Sequence, residues 1–318
     1  MNLEPNPYQT QPQPMESPEP ISAVPALAVA NTKPRLWTVF VTLITATALY
    51  LIASVVSVIV MIILQSVSND PSELPDIEVM LAEFSEHPAA IWVLVMPGQL
   101  AILIVTVIAT LLSPEKFTQR LSLRTPRWPV WVTLAATFAA PLVSLIWSIP
   151  LSFIVTSSEH LESMVALFRA SGQGFGIIGL FLCVSLLPAI AEEWLFRGYI
   201  QSRLLKRWHP AWAILLSSLL FAGFHMDPVH VVAVIPLGLW LGLITYYSGS
   251  LIPAMIAHAY NNALSIIATV YLGTDTLNTS ILSMENIVVL ASGIPGILLT
   301  FAWVASRNRA ESQSTLAA

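Results

Sequence analysis

The sequence predicts an all-α, polytopic integral membrane protein of about eight transmembrane helices around a buried polar cavity. Three observations carry that expectation. Of 318 residues, 56% are hydrophobic and 10% charged, against roughly 25% charged in an ordinary soluble domain. The apolar residues gather in runs close to the ~20 residues that a helix needs to cross a bilayer core. The Lys and Arg residues collect between alternate runs, as the enrichment of cations in cytoplasmic loops requires. The same composition excludes other classes. A formal charge of −5 leaves no basic surface to track a phosphate backbone, so no nucleic-acid partner is expected. Cys183, the single cysteine, can build neither a disulfide framework nor a thiolate zinc cluster and reads as a small buried hydrophobe.

Along the chain, residues 1–35 hold eight of the 23 prolines and no cation before Lys33, which reads as a disordered cytoplasmic tail and not as a secretory signal peptide. Three long apolar runs follow, Leu36–Leu64, Ala89–Leu112 and Pro129–Val155, an N-terminal set of spans within 36–170. Phe175–Ala191, Ala211–Phe224, Val229–Tyr247 and Leu251–Leu272 form a second set, within 171–272, that holds the chemistry. Ile287–Val304 is the last span, and with a short polar tail it occupies 273–318. The run at Ala211 has 14 residues before His225, about 21 Å of helix. The Met226-Asp227-Pro228 turn is therefore expected below the far surface, sheltered by protein.

With eight spans and both termini in the cytoplasm, twelve of the thirteen cations lie inside and only Arg169 outside. The first outer loop, Gln65–Pro88, carries six acidic residues and no cation. In a bacterium this would be the cell membrane. Trp92, Trp128, Trp131 and Trp208, near predicted interfaces, read as belt anchors. Gly238 and Gly242 read as a close-packing pair.

Ionisable residues inside apolar runs are functional candidates by default, and they fall in three segments: Glu192, Glu193 and Arg197; Phe221 and His225; His258 and Asn262. If the fourth helix runs on to a turn at Trp208-His209-Pro210, Glu192 and His225 stand about sixteen residues either side of it, at one depth. His258 lies about eight residues from the Ser248-Gly249-Ser250 turn, with Asn262 one helical turn deeper on the same face. The four residues can converge. A carboxylate that takes a proton from water, imidazoles that hold the water or a metal, and an amide at an oxyanion are the equipment of a hydrolase. Glu193 has Arg197 at i+4 and reads as half of an ion pair, which an exchange of the two charges would partly restore; Glu192 has no local cation. The bland alternatives are polar ties between helices or the proton relay of a coupled transporter.

In this order on successive helices, Glu-Glu-x-x-x-Arg, Phe-x-x-x-His and His-x-x-x-Asn resemble the CAAX prenyl protease 2 family, also called the Abi or CPBP intramembrane proteases. The resemblance covers about residues 180–265. It implies an intramembrane endopeptidase in which Glu192 is general base on a water, His225 helps to bind that water, and His258 with Asn262 supports the oxyanion. Glu193, Arg197 and Phe221 then support the site. The implied partners are membrane lipids and a membrane-associated or prenylated peptide. The cofactor question stays open: Glu192, His225 and His258 could hold a divalent ion such as zinc, but Asn is a poor fourth ligand and no His-Glu-x-x-His occurs. The reading leans towards water activated without metal.

Overall fold

Helix is the only regular structure among the described residues, which in this computed structural model are 35–68, 77–87, 89–154, 158–272 and 284–317. The Pro-rich tail, and Asp70, Glu73 and Asp76 of the first expected outer loop, lie outside them. The helices are α1 (Trp37–Ser68), α2 (Ile77–Ser85), α3 (Ala90–Leu94), α4 (Met96–Leu111), α5 (Phe117–Arg120), α6 (Val130–Ser152) and α7 (Glu159–Ser171). Then come α8 (Gly176–Leu205), α9 (Pro210–Gly223), α10 (Pro228–Ser248), α11 (Ile252–Ile267, carried on by a π turn over Ala268–Leu272) and α12 (Met284–Ala317).

Six of these segments are long and apolar enough to cross a membrane: α1, α3 with α4, α6, α8, α10 and α12. This makes the chain an integral membrane protein. The eight runs of the sequence reading thus yield six full-length apolar spans: α9 has 14 residues, short of the ~20 that span a bilayer core, and α11, though it runs on to Leu272, carries His258, Asn261 and Asn262 and is not among the six. Burial separates centre from periphery. Half of the apolar window is buried in α6 and in α8, against 11% in α1 and 17% in α12. The outer helices therefore show apolar side chains such as Ile44, Val55 and Leu298 to the surroundings, as lipid-facing helices do.

Hydropathy finds no element between Val155 and Phe175, yet α7 is there. It is amphipathic and too polar to span. Ser158 caps it by accepting from the Leu161 amide, Glu159 and Glu162 sit in its first turn and Arg169 in its last, the charge order that suits the helix dipole. Its Leu167 enters a core shared with Met80, Phe84 and Cys183, which is where the lone cysteine is buried. Arg169, the one cation expected outside, donates to the Thr269 carbonyl. One expected belt residue is corrected: Trp128 is buried edge-on against Trp303, because α12 covers the start of α6, whereas Trp92, Trp131 and Trp208 are exposed.

Prolines within helices leave carbonyls that neighbouring helices take up. Pro188 has no N–H to give to the carbonyl four residues back, and the Asn262 amide donates to that carbonyl, Val184 O, at 3.1 Å. Pro236 does the same to Val232 O, which accepts from the Trp147 indole at 2.8 Å. The Pro188 break lies beside two π-helical stretches of α8, Phe181–Leu186 and Trp194–Gln201. Such bulges re-aim the side chains around them and recur at functional sites. A second set of ties runs from α8 to α10: Arg197 donates to Gly238 O and Gln201 to Gly242 O, each at 3.0 Å. The glycines permit it, since a Cβ at Gly242 would stand 2.9 Å from Ile214 and 3.0 Å from Gln201 Oε1.

Glu115, in the loop before α5, binds both Arg120 and Lys206. Its partial burial would raise its pKa, but the Lys206 hydrogen bond and the Arg120 charge outweigh this and hold the carboxyl below its ordinary value of 4.5. The tie is therefore complete above 4.5 and is lost as the pH falls through the lower folded value. Glu115→Gln is expected to lower the thermal midpoint at pH 7 by a small amount, with the gap to wild type closing on acidification; a gap independent of pH would contradict this pairing.

Candidate active site

The centre of α8 carries Glu192 and Glu193 between its two π stretches, and both are buried. Adjacent residues on a helix point about 100° apart, so the two carboxylates meet different partners. Glu193, wholly enclosed, accepts from Arg197 Nη1 at 2.7 Å on its own helix. The same oxygen, Oε1, accepts from His258 Nδ1 of α11 at 3.0 Å. Arg197 also donates to Gly238 O and lies 4.2 Å from the centre of the Phe221 ring, a desolvated cation–π contact. Glu193 thus joins α8 to α11, while Arg197 joins α8 to α9 and α10.

Glu192 faces the other way. Its Oε1 accepts from the Gln99 amide of α4 at 3.1 Å, and its Oε2 lies 3.9 Å from His258 Nε2. That is too long for a direct hydrogen bond and short enough for one water to serve both atoms. The tautomer of His258 follows from its partner. A carboxylate already paired with Arg197 accepts, so Nδ1 donates to it and Nε2 is the nitrogen that faces Glu192.

His225, half-buried at the rim, obeys the same logic. Its Nδ1 is 3.1 Å from Phe221 O, which can only accept, so Nδ1 donates and Nε2 is left for another partner. The Phe221 ring stands edge-on to both imidazoles, with centroids 5.1 Å from His225 and 5.7 Å from His258. The next residue, Met226, has φ +59°, a left-handed conformation that is strained for a bulky side chain. Asp227 accepts from the His230 amide and so starts α10, and the His230 ring lies 4.5 Å from that of His225.

The sequence-derived residues are thus brought together unequally. Glu192, Glu193, Arg197, His258 and Phe221 form one buried cluster, with His225 next to it across Phe221. Asn262 instead gives its amide to Val184 O, the carbonyl left by Pro188. Its neighbour Asn261 is the more buried of the two, donates to Asn262 and accepts from Ser144 of α6 at 3.3 Å. Gln99 is the residue that sequence reasoning missed. A polar amide within the run Ala89–Leu112 was the available signal, but it is uncharged and belongs to none of the three segments. Its Oε1, and Oε2 of Glu193, are buried without a hydrogen-bond partner, a condition that is rare in folded proteins. Among the described residues, no group of three or more His, Cys, Asp or Glu is placed to hold a metal ion.

A helical membrane protein that buries two carboxylates, an arginine and an imidazole at the centre of its bundle, on helices bent by π turns, is built around a polar site rather than a lipid-like core. The class is that of polytopic membrane proteins with a buried polar site among their helices. Residues 174–264 match the family model for type II CAAX prenyl endopeptidase, Rce1-like, and this stretch of the chain is similar to the CAAX protease (CPBP) family. It takes in α8 to α11, and so every residue of the cluster except Gln99. Neither the curated proteins nor the solved structures compared with the chain gave a match. The match supports a CAAX protease-type enzyme.

Proposed function

We propose that the protein is an intramembrane endopeptidase that cleaves membrane-associated, CaaX-like peptide substrates with a water activated by Glu192. The observation that carries the reading is the 3.9 Å separation of Glu192 Oε2 and His258 Nε2, with each group held from behind: Glu192 by Gln99, His258 by Glu193. A water between them has two acceptors for its protons. Glu192 takes one proton as the water oxygen attacks the scissile carbonyl, and the same carboxyl then gives it to the departing amide nitrogen. His225, its free nitrogen at the rim, helps to orient the water or the incoming peptide. Asn262 keeps the role that the resemblance implies only if its amide leaves Val184 O, so His258, charged once it takes up a proton, is the better support for the oxyanion. Glu193 and Arg197 are positioning residues.

In this reading α9 is a short crossing and α11 a polar one, which brings the count to eight, with both termini in the cytoplasm as the cation distribution favours. A short helix beside the site suits peptide and water that must come from one face. The domains follow: a Pro-rich tail over 1–35, a supporting set of helices over 36–170, the catalytic core over 171–272 and a closing helix over 273–318. The direct test is incubation of the detergent-purified protein with a prenylated CaaX peptide. Release of the C-terminal tripeptide by the wild type and not by Glu192→Ala is expected. Equal release by both would overturn the mechanism.

A further inference from the structure

One end of the bundle gathers cations that the proposed reaction does not use. Arg120 of α5 and Arg203 near the end of α8 are both more than nine-tenths buried. Their guanidinium carbons lie 5.4 Å and 4.2 Å from the centre of the same Tyr199 ring. Arg203 donates to Thr38 Oγ1 at the start of α1, a neutral acceptor. Arg120 pairs with Glu115 at 3.3 Å, and the same carboxylate is also held by Lys206. Among the described residues, two of these three cations thus share one carboxylate and the third has none, and the Nε–H groups of both arginines are buried without a partner. Placing like charges in a low-dielectric site short of counter-charge is strongly unfavourable. Burial accordingly holds Arg120 below the ordinary arginine pKa, with Glu115 opposing the shift.

The level of this cluster points to what completes it. Trp37 at the start of α1, Trp208 after α8 and Trp212 at the start of α9 are all exposed at the same end of the bundle. Tryptophans so placed mark the headgroup layer of a bilayer. Lys206, 41% exposed, reaches outward from the buried arginines. Guanidinium forks match the paired oxygens of a phosphate, and basic pockets between membrane helices hold anionic headgroups. We propose that Arg120, Arg203 and Lys206 form a binding site for a phosphate group, supplied by an anionic lipid at the membrane interface. The lipid phosphate completes the charge balance and ties α1, α5 and α8 together at that end.

The full chain in neutral detergent tests this by native mass spectrometry and thermal unfolding, with phosphatidylglycerol, phosphatidylcholine or inorganic phosphate added. Wild type is expected to retain phosphatidylglycerol in preference to phosphatidylcholine and to unfold at a higher temperature with it. Each cation removed should weaken retention by about fivefold, the effect of one basic residue near an anionic surface. Arg203→Gln removes a buried group and can disturb folding. Lys206→Gln alters a surface group and provides the same readout in a folded protein. Stabilisation by inorganic phosphate, lost in Lys206→Gln, would support the same site with a free anion as its source. Equal retention of the two lipids with no response to phosphate would overturn the proposal. So would phosphatidylglycerol retention unchanged in both variants.

Discussion

Glu192→Gln is expected to reduce turnover by about 10²–10⁴-fold, the usual contribution of a general base, while leaving the folded protein in the membrane. Gln keeps the shape of the side chain and still offers an oxygen to the Gln99 amide, so the 3.1 Å contact is preserved. What is lost is the ability to hold a proton between attack on the carbonyl and departure of the amine. Gln99→Leu keeps that ability and removes only the support. One lost hydrogen bond to a charged group, about 1.5–3 kcal/mol, sets a smaller reduction of roughly ten- to a hundredfold. Rates of tripeptide release at saturating substrate give both numbers. A fully active Glu192→Gln protein would remove Glu192 from the chemistry.

Glu193→Gln and Arg197→Ala are expected to act on the fold first. Removing one member of a buried pair leaves the other charged and uncompensated, which costs about 3–5 kcal/mol. Arg197→Ala should be the more damaging, because it also removes the bond to Gly238 O and the contact with Phe221. Thermal unfolding in detergent and the amount of protein in the membrane report the loss. The exchange Glu193→Arg with Arg197→Glu, a rescue when only the i, i+4 spacing is considered, is expected to fail here. The exchanged Glu would face the Gly238 carbonyl and the Phe221 ring face, both of which repel a carboxylate, and His258 would lose its acceptor to a cation. Recovery of wild-type stability in the double variant would mean that the pair acts alone.

Much of the site was legible in the sequence because charge inside an apolar run is so unfavourable that it is retained where something needs it. Glu192, Glu193, Arg197, His225 and His258 stand out for that reason, and Arg197 four residues after Glu193 names its partner through helical periodicity alone. Gln99 and Asn261 did not stand out. Neutral amides carry little penalty signal, and their positions matter only through contacts with helices about a hundred residues away, to Glu192 in one case and Ser144 in the other. Asn262 shows the opposite error, since spacing put it on the face of His258 but could not show that the carbonyl left by Pro188 takes up its amide.

The sequence by itself determined that this is a helical membrane protein, where most of its helices run, and which ionisable residues it buries. Those properties follow from local quantities: the length of apolar runs, the cost of burying charge and the 3.6-residue period. The tertiary structure decided the rest. It divided the eight runs into six full-length apolar spans, the short helix α9 and the more polar helix α11, added α7, and enclosed Trp128 behind α12. It assigned Glu193 to Arg197 and His258, set Glu192 between Gln99 and His258, brought Arg120 and Lys206 to Glu115, and set Arg203 beside Arg120 at the Tyr199 ring. Each of these depends on which faces of distant helices meet, and that is fixed by packing at glycines, prolines and π turns, whose effect on helix direction no hydropathy pattern records.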